Sequence, residues 1–93
     1  MSRYIHIENT TRIVISNVPD DVTEEDVKKI FADQGLTVEA QMAATDIRIC
    51  DVLIEGVDRS EAEAIAEAFL VHYRYWKGKT IAVDVPIYAQ PPT

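Results

Sequence analysis

Two hydrophobic periods alternate along this chain, and together they leave few folds open. Apolar residues recur at helical spacing twice, as Val27, Ile30 and Phe31 and again as Ala62, Ile65, Ala66 and Phe69. Around these stripes lie short β-branched or alternating runs: Arg12-Ile13-Val14-Ile15-Ser16, Leu36 to Met42, Ile47 to Glu55 and Thr80 to Val85. Spacing of i, i+3 and i+4 builds one apolar helix face, whereas strict alternation builds a half-buried strand. The order β-α-β-β-α-β follows. It predicts an α+β domain of ferredoxin-like layout: a four-stranded antiparallel sheet with two helices on one face. The other face of the sheet is then open, and function is set by that face, by the helices and by the loops.

Punctuation along the chain agrees. Asn17-Val18-Pro19-Asp20-Asp21 is turn chemistry, because Pro19 cannot continue a strand ladder. Thr23 is a good helix N-cap, with Asp26 as its capping-box partner and Glu24, Glu25 and Asp26 against the positive end of the dipole. Gly35 is a natural stop. Ala43 to Asp46 reads as a loop, and Ser60 with Glu63 reads as a second capping box. His72 to Lys79 is aromatic, basic and closed by Gly78, so a loop or short hairpin is expected there. Residues 11–86 form the domain. Residues 1–10 are an N-terminal extension in which Ile5 and Ile7 alternate briefly, and 87–93 are a Pro-rich tail.

Composition narrows the function classes. Ninety-three residues make one domain, and 47% hydrophobic residues suffice for a core. Nine basic residues against 16 acidic ones leave a net charge of −7, which opposes general attachment to phosphate backbones or anionic membranes. Cys50 is the single cysteine, so no intrachain disulfide framework exists, and an intracellular setting, nuclear or cytoplasmic, is expected. No apolar run approaches the roughly 18–20 residues of a membrane span. There is no zinc spacing, Gly-rich phosphate loop, nucleophile elbow or triad, so neither an enzyme nor a metal or cofactor is expected. His6 and His72 have no catalytic partner nearby in sequence, and Cys50 shares the core-facing phase of Val52 and Ile54.

Residues from about Thr11 to Val85 resemble an RNA recognition motif (RRM) domain. The landmarks are Ile13-Val14-Ile15-Ser16-Asn17-Val18-Pro19, Thr23-Glu24-Glu25-Asp26-Val27 with Ile30, Phe31 and Gly35, Asp51-Val52-Leu53-Ile54-Glu55, Ser60 to Ala66, and Trp76-Lys77-Gly78-Lys79-Thr80-Ile81-Ala82-Val83. The family reads single strands by stacking bases on aromatic residues of the open sheet face. Carried over one at a time, those stacking positions fall on Val14, Asp51 and Leu53, none of them aromatic. The basic residue that opens the family's third-strand motif falls on Ile49 or Arg48. Four acids, Glu39, Asp51, Glu55 and Asp84, share the face by alternation with Arg12, Ser16, Thr37, Gln41, Ile47 and Ala82. The resemblance with these departures implies a sheet-face RNA site that is degenerate. Val14, Ile47, Ile49 and Leu53 are either strand residues covered by the tail through Ile87 and Tyr88, or an apolar patch.

Arg74-Tyr75-Trp76 resembles the Arg-x-Phe signature of the peptide-binding splicing-factor homology modules, with Trp76 in place of Phe. Those modules hold a peptide tryptophan between this loop and the helices, and acids of the first helix hold the peptide's basic residues. The corresponding acids here are Glu24, Glu25 and Asp26, followed by Lys28 and Lys29. Trp76 either packs on the core, as the aromatic before the turn does in ordinary RRM domains, or touches a ligand. The expected function is a non-enzymatic RRM-fold interaction module of an RNA-processing or RNA-associated factor. It mainly binds a protein or linear peptide through Arg74, Tyr75, Trp76 and the first helix. The alternative is non-canonical binding of single-stranded RNA through loops and segment 73–79, with Arg74, Lys77 and Lys79 as residual nucleic-acid contacts.

Overall fold

The computed structural model describes residues 10–44 and 46–86. The proposed cover by Ile87 and Tyr88, and the termini as a whole, lie outside the described residues.

The chain runs β1 (Thr10–Ser16), α1 (Glu24–Ala32), β2 (Val38–Ala44), β3 (Arg48–Glu55), α2 (Arg59–Tyr73), β4 (Tyr75–Trp76), β5 (Lys79–Thr80) and β6 (Ala82–Asp84). The main sheet has strand order β2-β3-β1-β6, and every neighbouring pair is antiparallel. β4 and β5 form a separate two-stranded hairpin. The architecture is α+β, a four-stranded antiparallel sheet with two helices. Its element order departs from the expected β-α-β-β-α-β by that hairpin.

Register follows the alternation. Ile13 and Ile15 of β1 face the core with Cys50, Val52 and Ile54 of β3 and with Val38 and Ala40 of β2. One helix stripe, Val27 and Phe31, and the other, Ala62, Ala66 and Phe69, complete the same buried cluster. The Phe31 and Phe69 rings stack at 5.6 Å and join the two helices.

α1 forms as its sequence dictates. Asp26 N–H donates to Thr23 Oγ1 (3.2 Å) and Thr23 N–H donates to Asp26 Oδ2 (2.9 Å), a reciprocal capping box. The helix closes in a Schellman motif: Leu36 N–H bonds Phe31 C=O at 3.1 Å and Gly35 N–H bonds Ala32 C=O at 2.9 Å, with Gly35 at φ +81°.

Four expectations are corrected. The capping box of α2 is Asp58 with Glu61, not Ser60 with Glu63, so the helix starts at Arg59. α2 runs on through Tyr73, because Tyr73 lies one turn after Phe69 and stacks on it at 4.8 Å. β2 extends through Ala43 and Ala44, which pair with Ile49 and Arg48 across β3, where a loop was expected. The strand expected over Thr80 to Val85 is divided: Lys79–Thr80 pairs with Tyr75–Trp76, and Ala82–Asp84 pairs with β1. The hairpin turn explains the division. Lys77 (φ 50°) and Gly78 (φ 87°) both hold positive φ, as a two-residue type I′ turn requires.

Candidate functional site

The aromatic-basic segment grows directly out of α2. Arg74 N–H still bonds Leu70 C=O (3.0 Å), while Arg74 C=O accepts Ile81 N–H (2.8 Å), so the backbone at the hairpin base is held on both sides. In a two-stranded hairpin successive residues face opposite sides. Trp76 turns inward: its ring meets Phe69 edge-on at 5.9 Å and Tyr73 at 4.9 Å. Trp76 thus packs against the core cluster while staying half-exposed. Tyr75 turns outward and is 73% exposed, beside the exposed Arg74.

The hairpin is tied to the loop before α1. Lys77 Nζ lies 3.3 Å from Asp21 Oδ2, and Asn17 Nδ2 donates to Thr80 C=O at 3.0 Å. The tertiary structure therefore does bring the aromatic segment and the N-terminal end of α1 to one end of the molecule. By sequence Asn17 is turn chemistry and a landmark of the resemblance, and Asp21 is turn chemistry alone. The signal for Asn17 was available: Asn tolerates the positive φ, here 67°, at which it sits.

Each acid of α1 has an internal role. Glu24 Oε2 accepts the Met42 N–H of edge strand β2 at 2.7 Å. Glu25 lies 3.7 Å from Lys28 one turn on. Asp26 closes the capping box, and the hydrogen bonds from Thr23 hold its carboxyl below the usual range, with Lys77 and Lys29 adding to the effect. Of the basic trio, Lys77 is in its ion pair and Lys79 is half-buried opposite Trp76. Arg74 alone of the three is both exposed and, among the described residues, without an ion pair.

On the sheet, register brings together the three positions to which the resemblance assigns base stacking: Val14 pairs directly with Asp51, and Leu53 lies one step along the same face. Their chemistry is not that of a stacking platform. Arg12 grips Asp51 with two hydrogen bonds, Nε to Oδ1 at 2.7 Å and Nη2 to Oδ2 at 3.0 Å. Arg12, Glu39, Gln41, Asp51 and Leu53 line a shallow depression there. Arg48, one of the two candidates for the family's basic position, is in the core-facing phase instead. Its guanidinium donates to Pro19 C=O and to Val22 C=O (2.9 Å), and its own C=O accepts Val18 N–H at 3.0 Å. It fastens the β1–α1 loop.

Cys50 is fully buried, and that burial, with Glu24 and Asp51 adding to it, pushes its thiol up to about 11. A thiol so held is no nucleophile near neutrality. Among the described residues no group of three His, Cys, Asp or Glu side chains is arranged to hold a metal ion, and no helix is long and apolar enough to cross a membrane. No family model matches the chain, and no curated protein matches it.

Proposed function

We propose that this chain is a non-enzymatic interaction module with an RRM-like, ferredoxin-like fold, belonging to an RNA-processing or RNA-associated factor. It binds a protein or linear peptide at the end of the molecule where the β4–β5 hairpin meets the loop that leads into α1. One observation carries the reading: Arg74 and the 73%-exposed Tyr75 project from a hairpin whose next residue, Trp76, is anchored on Phe69 and Tyr73. Aromatic and Arg anchors on rigid supports are the residue types that dominate interface energetics, because they bury much surface at small entropic cost. The acidic end of α1 supports a partner carrying positive charge. The sheet face speaks against the family's usual ligand, since each missing base stack forfeits about 1–3 kcal/mol. An intracellular setting, where Cys50 stays a thiol, belongs to the same reading.

The test is an amide-shift titration of the labelled chain with a basic, tryptophan-containing peptide and, separately, with single-stranded RNA. Saturable peptide shifts at Arg74 and Tyr75 and in the first turn of α1, weakened by Arg74→Ala, are expected. Hairpin shifts seen only with RNA, and lost on charge reversal of Arg74, Lys77 and Lys79, would favour the loop-mediated RNA reading.

A further inference from the structure

A second surface, independent of the hairpin, is formed among the described residues by the sheet face away from the helices. The registers Glu39↔Leu53, Arg12↔Leu53, Val14↔Asp51 and Val14↔Asp84 set Glu39, Leu53, Val14 and Asp84 in a diagonal line across β2, β3, β1 and β6. The line reads acid, apolar, apolar, acid. Leu53 is 41% exposed, Val14 is half-buried, and Glu39 and Asp84 are exposed. Beside the two apolar residues stands the Arg12–Asp51 pair, whose charges cancel and whose two-point geometry is fixed. Among the described residues the centre of the face therefore holds two apolar side chains beside an opposite-charge pair, and the exposed carboxylates Glu39 and Asp84, which make no ion pair there, sit at its edges. An apolar centre inside a polar rim is the anatomy of a protein-binding patch.

Charge decides the occupant. A nucleic acid or an anionic membrane would bring negative charge onto Glu39, Glu55 and Asp84. A second copy packed by two-fold symmetry would lay this same acidic rim against itself. A cationic protein segment meets no such penalty. Its spacing follows from strand geometry. Two direct cross-strand steps and one diagonal step put Glu39 and Asp84 about 15 Å apart. In an extended chain, residues i and i+4 face the same side about 13 Å apart, and flexible Lys or Arg stems cover the remainder. We propose that this face docks an extended segment of the form cation-x-apolar-x-cation, with its cations on Glu39 and Asp84 and its apolar residue over Leu53 and Val14.

The probe is the peptide Lys-Ser-Leu-Ser-Lys-Ser-Leu-Ser-Lys titrated into the labelled full chain. Saturable amide shifts at Glu39, Leu53, Val14 and Asp84 are expected, weakening as salt rises. Glu39→Gln with Asp84→Asn should weaken binding about fivefold or more, the aggregate of two exposed ion pairs. Replacing the peptide leucines by serine should weaken it as well, whereas Arg74→Ala in the protein should leave it unchanged. The exposed carboxylate-to-amide changes keep side-chain size, and the salt series on the unaltered chain reads the same charge dependence without any substitution. The proposal is overturned by shifts confined to the helices or hairpin, by no shifts at millimolar peptide, by salt-independent binding, or by single-stranded RNA producing the sheet shifts instead.

Discussion

The Trp76 ring stands edge-on to Phe69, at 5.9 Å between centroids and 75° between planes. That contact joins the hairpin to an aromatic chain that continues through Phe69 to Phe31 of α1. Neighbouring aromatics at positions 75 and 76 consequently have opposite fates. Trp76→Ala should cost about 2–3 kcal/mol, below the roughly 3–5 kcal/mol of a fully buried large aromatic because Trp76 is only half-buried. Tyr75→Ala should stay within about 0.5 kcal/mol, as exposed substitutions do. Urea denaturation of both variants measures the difference, and equal losses would contradict the assignment.

Arg48 supports the loop that positions α1. Its guanidinium bonds the carbonyls of Pro19 and Val22, flanking residues whose side chains are buried. Arg48→Gln shortens the reach and removes the charge, leaving part-buried carbonyls poorly satisfied. A loss of about 1.5–3 kcal/mol is expected, the magnitude of hydrogen bonds to a charged donor. Faster amide exchange at Val18 and Val22 should accompany it, and unchanged exchange there would show that the loop holds without Arg48.

Short single-stranded RNA at physiological salt should leave the amides of Val14, Asp51 and Leu53 still. The three positions are adjacent but present a valine, a leucine and a carboxylate already held by Arg12. Micromolar, saturable shifts at these three residues would refute the degenerate reading of the sheet.

Cys50 predicts a pH dependence at the alkaline end. Its folded thiol is raised from 9.0 to about 11 by burial, so the native state keeps a proton that the unfolded chain has released. Stability from this group is complete below pH 9 and falls as pH climbs through 11, because there the unfolded state binds fewer protons. The alkaline slope of the denaturation midpoint should flatten in Cys50→Ala relative to the parent. Thiol reagents at pH 8 should label Cys50 only after unfolding.

What the sequence determined by itself is the facing of the residues. Alternation in β1 and β3 placed Ile13, Ile15, Cys50, Val52 and Ile54 inside, and helical spacing did the same for Val27, Phe31, Ala62, Ala66 and Phe69. These periods come from backbone geometry within a few residues, so they survive without knowledge of the rest of the chain. The Thr23–Asp26 box and the Gly35 stop were legible for the same reason.

Tertiary structure decided where local patterns were degenerate. Asp58–Glu61 and Ser60–Glu63 both fit a capping box, and in the folded chain the bonds form at the earlier pair. Stacking on Phe69 carries α2 through Tyr73, and the turn at Lys77 and Gly78 divides the final strand. The candidate surfaces rest on contacts of the same long-range kind: Asn17 meets Thr80 across a separation of 63 residues, and Arg12 meets Asp51 across 39. A side chain's role at such a site is set by groups that approach only when the sheet has closed. Neighbouring residues therefore carry no imprint of it, and the bonds of Arg48 to the β1–α1 loop form only once that loop folds over it.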